Sequence, residues 1–248
     1  MSNKIIMITG ASSGIGEASA TRLAGDGHHV VIAARRTDRL TQIAERINAD
    51  GGRATALPVD VTDQATVAAL VDSVVSEFGG LDVVVACAGV MPLSPLSALR
   101  LEDWERTIDV NIRGLLYSIA AVLPQFQLQG RGHFVTIAST AAREVMPASA
   151  VYTGTKFAAW AITEGLRLES DPGIRVTTIS PGLTETELAD SVTDPAAREL
   201  ANAVWKKLAM SPDAVAAAIS YAINQPEWTD VNEIVVRPAG MRYGWLTP

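Results

Sequence analysis

Tyr152 and Lys156 stand four residues apart in a stretch, 151–169, whose Ala, Leu, Glu and Arg content reads as a helix. Residues at that spacing share one helix face, so the sequence sets a phenol beside an ammonium. A free phenol, with a pKa near ~10, is a poor acid–base group at neutral pH. A neighbouring positive charge stabilises the phenolate and is expected to draw the pKa toward the working range. Tyr-x-x-x-Lys is common by chance. Here it gains meaning from Ser139, at the C-terminal end of an apolar run that reads as a strand, where ligands of open α/β sheets bind. The chemistry this constellation could do is proton transfer by a phenol of altered acidity.

A second constellation lies at the other end of the chain. Gly10-Ala11-Ser12-Ser13-Gly14-Ile15-Gly16 follows the apolar run Ile5–Ile8 and opens a helix-like stretch. Glycines so placed allow a tight turn, close approach of a pyrophosphate to the backbone, and close packing of helix on strand. The helix start supplies unpaired N–H groups for phosphate. Gly10 to Gly14 also fits the G-x-S-x-G elbow of serine hydrolases. That elbow needs an upstream loop for its oxyanion hole, and only nine residues precede this one. His28, His29 and His133 read as packing or surface residues rather than a base, and no P-loop is present. Where an acidic side chain would bind the ribose hydroxyl of NAD, at the end of the second strand, the chain has Ala34-Arg35-Arg36. A guanidinium binds phosphate through two parallel charge-assisted hydrogen bonds. The expected coenzyme is therefore NADP(H), with Arg35 the principal contact and Arg36 and Ser13 helping.

Elements to position these groups alternate along the chain. Short β-branched runs occur at Ile5–Ile8, Val30–Ala33, Val83–Ala86, Phe134–Ile137, Val176–Ile179 and Ile234–Val236, with a weaker one at Ala54–Leu57. Helix-like stretches fill 15–25, 38–49, 63–78, 101–123, 151–169 and 212–224. Continuous apolar runs suit strands buried on both faces, and strand–helix alternation implies right-handed crossovers in a parallel sheet. The expected fold is α/β, a doubly wound parallel seven-stranded sheet of the Rossmann type with helices on both faces. No linker or repeat divides residues 1–248, which read as a single dinucleotide-binding and catalytic domain. The segment 183–210 breaks the rhythm and is the candidate substrate loop, with a surface helical hairpin of no special role as the plainer reading.

Composition narrows the classes. Of 248 residues, 48% are hydrophobic and 19% charged, which excludes disorder. The net charge of −7 argues against a protein that holds nucleic acid by its phosphates. Cys87 is the only cysteine, so neither an internal disulfide nor a multi-cysteine metal site can form, and no metal is expected. No apolar run approaches the ~20 residues of a membrane span. These features together predict a cytoplasmic protein with no membrane partner.

Over almost its whole length the sequence resembles the short-chain dehydrogenase/reductase family. The marks are Thr9-Gly10-x-x-x-Gly14-Ile15-Gly16, Asp60-Val61, Ala88-Gly89, Asn111, Ser139, Tyr152-x-x-x-Lys156 and Pro181-Gly182, in the family's order. The resemblance implies that Tyr152 is the general acid for carbonyl reduction and the base for alcohol oxidation. It further implies that Ser139 bonds the substrate oxygen, and that Lys156 lowers the tyrosine pKa and holds the nicotinamide ribose. Asn111 would position a water linking Lys156 to solvent. Coenzyme contacts would come from Gly10, Ser12, Ser13, Gly14, Ile15 and Gly16 in the glycine loop, and from Asp60 and Val61 around the adenine. Ala88 and Gly89 would lie by its ribose, and Pro181, Gly182, Leu183, Thr184 and Thr186 at the carboxamide end. One departure is Ala86-Cys87, where the family has two asparagines; Cys87 is expected to pack as a buried thiol.

The segment Asn232–Pro238 resembles an NADP-dependent subgroup that includes aldehyde reductases and hydroxy-acid dehydrogenases. The apolar tail 241–248 is expected to pack on another subunit of a homo-oligomer, a dimer or tetramer. The reading is an NADPH-dependent, reversible carbonyl reductase acting on a modest, apolar ketone or aldehyde. Met91–Leu96, Thr140–Ala148 and 183–210 are expected to line its pocket, with Arg143 and Glu144 as polar contacts. The rivals are a reductase of carrier-protein-bound 3-ketoacyl groups and a catalytically silent NADP sensor.

Overall fold

The computed structural model describes residues 3–241. Seven strands form one parallel sheet: β1 (Ile5–Thr9), β2 (His29–Ala34), β3 (Arg53–Pro58), β4 (Val83–Ala86), β5 (Gly132–Ile137), β6 (Ile174–Pro181) and β7 (Glu233–Val236). Their order is β3-β2-β1-β4-β5-β6-β7. The chain builds outward from β1 through β2 to β3, then returns to place β4 on β1's other side, with Met7 in register with both Val31 and Val84. The order reverses beside β1, and a crevice opens there at the C-terminal strand ends.

Alternation within the apolar runs divides the core between two faces. Ile6, Ile8, Val30, Ile32, Val83 and Val85 pack on one side with α1 (Gly14–Gly25), α2 (Thr37–Ala49) and α8 (Pro212–Ile223). Met7, Val31, Val84 and Phe134 pack on the other with α3 (Gln64–Phe78), α5 (Gly114–Gln129) and α6 (Ala150–Glu169). This double burial is why the runs are continuous.

Local chemistry sets the boundaries. The Asp63 carboxylate caps α3 by accepting from the backbone N–H groups of Ala65 and Thr66, so this helix begins one residue later than expected. Pro58 ends β3, an edge strand, where its missing N–H costs little. The stretch 101–123, expected as one helix, is α4 (Leu101–Ile108), a π-helical turn at Asp109–Arg113, and α5. Pro124 does not stop α5, whose next turn buries Phe126 in the core and ends at Gly130 with φ of 66°.

The segment 183–210 is folded. Thr186 caps a 3₁₀ turn over Glu187–Ser191, and α7 (Pro195–Leu208) follows with Asp194 as its cap. Glu185 N donates to Met210 O at 2.8 Å and Met210 N to Leu183 O at 3.0 Å, which fastens the two ends of the segment together. Met241 is buried, whereas the remainder of the tail expected to pack on another subunit, 242–248, lies outside the described residues. Among the described residues no helix is long and apolar enough to cross a membrane.

Candidate active site

The C-terminal strand ends surround a cleft of about 360 Å³, within the ~300–1,000 Å³ range usual for small-molecule and cofactor sites. At one end is the glycine loop. Gly10 has φ of +68°, and a Cβ there would lie 2.7 Å from the Ala88 backbone, so only glycine brings the loop this close to the end of β4. At Gly16 a Cβ would stand 2.4 Å from the carbonyl oxygen of Gly10, which is the close helix-on-strand packing expected. Ser13 precedes α1 in extended backbone without capping it; its hydroxyl and that of Ser12 accept hydrogen bonds from Arg36 at 2.7 and 2.9 Å. Arg35 is exposed on the same rim. Partial burial works against the charge on Asp60, but hydrogen bonds from Thr62 and the charge of Arg35 hold its carboxyl below the usual range. The phosphate-binding features of a dinucleotide site, a glycine-lined cradle at a helix start beside guanidinium groups, are therefore in place.

At the other end Ser139, Tyr152 and Lys156 face the cleft together. Ser139 leaves the tip of β5 in extended backbone, and its Oγ accepts from Ala141 N at 3.0 Å. Tyr152 and Lys156 lie on the first turns of α6, both buried, with the ammonium 5.9 Å from the centre of the phenol ring. Lys156 Nζ donates to the carbonyl oxygen of Ile137 at 2.9 Å.

The acidity expected of Tyr152 meets an opposing effect here. Burial pushes the phenol up to about 12, with the Ser139 hydroxyl pulling the other way. Burial likewise brings Lys156 down to about 8, against the influence of Cys87. Desolvation penalises both charged forms, and an ammonium turned to a backbone carbonyl does not offset it.

Nearly all the residues expected at the site line this one cleft: Gly10, Ser12, Ser13, Gly14, Ile15, Gly16, Arg35, Arg36, Asp60, Val61, Ala88, Gly89, Ser139, Tyr152, Lys156, Pro181, Gly182, Thr184 and Thr186. Two differ. Leu183 is fully buried and turns its side chain into the protein. Asn111 stands behind the cleft on the π turn, where its amide donates to Val90 O and Thr155 Oγ1 and accepts from Val90 N. It shares with Lys156 a cavity of about 20 Å³, enough for a single water.

Arg143 and Glu144, expected as substrate contacts, instead pair with Glu233 and Arg237 and line no part of the cleft. Opposite-charge partners at the two ends of the edge strand β7, Glu233 on it and Arg237 just beyond, satisfy them. Cys87 borders the cleft, with its thiol pushed up to about 12 by burial. Thr9 Oγ1 accepts from the backbone N–H groups of Cys87 and Ala88 at 3.3 and 3.5 Å.

Glu187, Leu188, Ser191 and Trp205, all within the segment 183–210 expected to line the pocket, also border the cleft, as does Arg106, which nothing in the sequence singles out. Leu188 and Trp205 pack with Met91 and Tyr152 in a small apolar cluster, so the segment 183–210 does reach the catalytic tyrosine candidate.

Comparison with known proteins agrees with this geometry. The family model described as short chain dehydrogenase matches residues 4–197. The chain is 44% identical over 240 residues to an uncharacterised oxidoreductase of Staphylococcus saprophyticus, covering 96% of each. Its fold is similar to that of an alcohol dehydrogenase from the archaeon Thermococcus sibiricus in complex with 5-hydroxy-NADP, with a TM-score of 0.87 and 30% identity over 98% of this chain and 100% of that one. A serine dehydrogenase in complex with NADP+ matches with a TM-score of 0.88 and 29% identity over 98% of both chains. The glycine-lined crevice at the strand reversal, the Ser139–Tyr152–Lys156 grouping at its far end and these likenesses lead to one assignment: the chain belongs to the short-chain dehydrogenase family of oxidoreductases.

Proposed function

We propose that the protein is an NADPH-dependent reductase of ketones or aldehydes to alcohols, working reversibly. The observation that carries this reading is the convergence of Ser139, Tyr152 and Lys156 on the wall of a cleft whose opposite end is a glycine cradle flanked by Arg35 and Arg36. The coenzyme is NADP(H), as in the similar alcohol and serine dehydrogenase complexes. Ser12, Ser13 and the helix start hold its phosphates, Asp60 and Val61 frame the adenine, and Lys156 lies by the nicotinamide ribose. When bound, it supplies the hydride.

The chain's own groups handle the proton. A phenol held at about 12 carries its proton at neutral pH, the form that reduction needs, and Tyr152 delivers it to the carbonyl oxygen. Ser139, fixed by Ala141 N, steers that oxygen. Oxidation needs the phenolate, which the Ser139 hydroxyl favours and the positive charge of an oxidised nicotinamide would favour further. Lys156 passes protons toward the small cavity it shares with Asn111.

Met91, Leu188 and Trp205 give the substrate end an apolar wall, with Ser191 as a polar point, which suits a modest apolar carbonyl compound. Exposed Leu116, Phe157 and Trp160 suit a homo-oligomer. A single, free Cys87 accords with a reducing compartment such as the cytoplasm. The test is a panel of ketones and aldehydes followed by NADPH absorbance, with kcat/KM compared for NADPH and NADH. The expected result is turnover with a clear NADPH preference. No turnover, or a preference for NADH, overturns the reading.

A further inference from the structure

Glu187 opens the 3₁₀ turn of the segment 183–210, and its carboxylate reaches across the cleft mouth to the arginines that follow β2. It accepts from Arg36 Nη1 at 2.7 Å and from Arg39. The rest of the Arg36 guanidinium holds the glycine loop, with Nε and Nη2 donating to Ser12 Oγ at 3.0 and 2.9 Å and Nη2 to Ser13 Oγ at 2.7 Å. The turn is pressed against that loop: a Cβ on Gly14 would lie 2.8 Å from the Thr186 side chain. A carboxylate of the protein thus sits on Arg36, just after β2, and on Arg39 in the first turn of α2, beside Arg35. The NADP reading gives Arg35 and Arg36 to the phosphate on the adenine ribose, so Arg36 is the donor that the two anions would share.

We propose that Glu187 is an internal competitor for that phosphate and so a coenzyme-specificity residue, which weakens binding of NADP(H) while leaving NAD(H) untouched. The inference rests on the NADP reading above. Two anions cannot share the same guanidinium donors at contact distance without strong repulsion. Hydrogen bonds from Arg36 and Arg39 hold the Glu187 carboxyl down to about 2, so it yields by swinging aside and not by taking a proton. Its side chain is 41% exposed and those of the arginines 45% and 48%, which leaves water free to screen the contacts. Ion pairs this exposed are weak enough for a phosphate to displace, and losing the competitor is worth about fivefold in affinity.

The experiment measures dissociation constants by calorimetry for adenosine 2′,5′-bisphosphate and 5′-AMP, with the wild-type protein, Glu187→Gln and Glu187→Ala. Glu187 is a half-exposed surface residue, so both variants should fold, and unfolding curves check that they do. The expected result is that the wild-type protein prefers the bisphosphate, and that both variants bind it about fivefold tighter with 5′-AMP unchanged. A wild-type protein that does not prefer the bisphosphate overturns the NADP reading and this inference with it. A wild-type preference that the variants leave unchanged or reduce, or a shift shared equally by both nucleotides, overturns the inference alone and leaves Glu187 as a structural clasp.

Discussion

Lys156 Nζ is tied by a 2.9 Å hydrogen bond to the carbonyl oxygen of Ile137, the last residue of β5. The ammonium is therefore anchored to the sheet, and the phenol of Tyr152, four residues back on α6, is carried at a fixed offset from it. Burial acts on both groups, lowering one pKa and raising the other, so the pair stores its protons on the phenol and leaves the amine close to titration at mildly alkaline pH.

That arrangement costs stability. The Lys156 ammonium, held at about 8 in the folded chain against 10.5 ordinarily, loses its proton on folding between those values. The unfolded chain binds more protons in that window, so stability rises with pH from about 8 to 10.5. Below pH 8 both states are protonated and the penalty is complete, roughly 3 kcal/mol at ~1.4 kcal/mol per pH unit. Lys156→Met, which gives up the bond to Ile137 as well, is expected to be more stable than wild type by about 1–2 kcal/mol at pH 7 and to lose that advantage by pH 10.5. Urea unfolding at the two pH values checks this, and a variant less stable at pH 7 would count against it.

His133 makes a prediction of the same sign at acid pH. It is buried on β5 with Nε2 2.7 Å from Thr177 Oγ1 and Nδ1 without a partner, and burial together with Arg175 lowers its pKa well below 6.5. The unfolded chain therefore takes up a proton below pH 6.5 that the folded chain refuses, and stability falls as pH drops, by up to ~1.4 kcal/mol per unit. His133→Gln, which can still donate to Thr177, should reduce that slope by close to one proton. An unchanged slope in the urea midpoints between pH 6.5 and 5 would show that the histidine is not its source.

Gly16 tests the cradle. Its Cβ would meet Gly10 O at 2.4 Å and Ala11 Cα at 2.8 Å, backbone atoms that cannot swing aside. Gly16→Ala should cost about 1–3 kcal/mol of stability by forcing the helix off the strand. It should also weaken NADPH binding at least tenfold, because the helix N–H groups move with it. Fluorescence titration with NADPH beside a thermal melt provides the check, and unaltered binding would contradict the role given to the loop.

Much of this was legible because it is written locally. The glycine loop, the Tyr152–Lys156 spacing and the apolar strand runs each specify their geometry within a few residues. Asn111 was visible as a residue type but not as the bolt between Val90 and Thr155, because nothing in the sequence marks a π turn. Arg36 and Glu187 meet across 151 positions, and Arg143 and Glu233 across 90, so no spacing rule pairs them. The burial that raises the Tyr152 pKa was hidden for a related reason: its charged neighbour is encoded four residues away, whereas its burial comes from Met91, Val192 and the wider fold.

The central claim, that Tyr152 delivers the proton, is tested most directly by Tyr152→Phe, with steady-state kcat for the best carbonyl substrate measured beside the NADPH dissociation constant. Removing the hydroxyl from a buried ring that packs in an apolar cluster leaves the cleft's shape intact. The account predicts that kcat falls by about 10²–10⁴-fold while NADPH binding changes by less than about twofold. A variant that turns over at near wild-type kcat would contradict it.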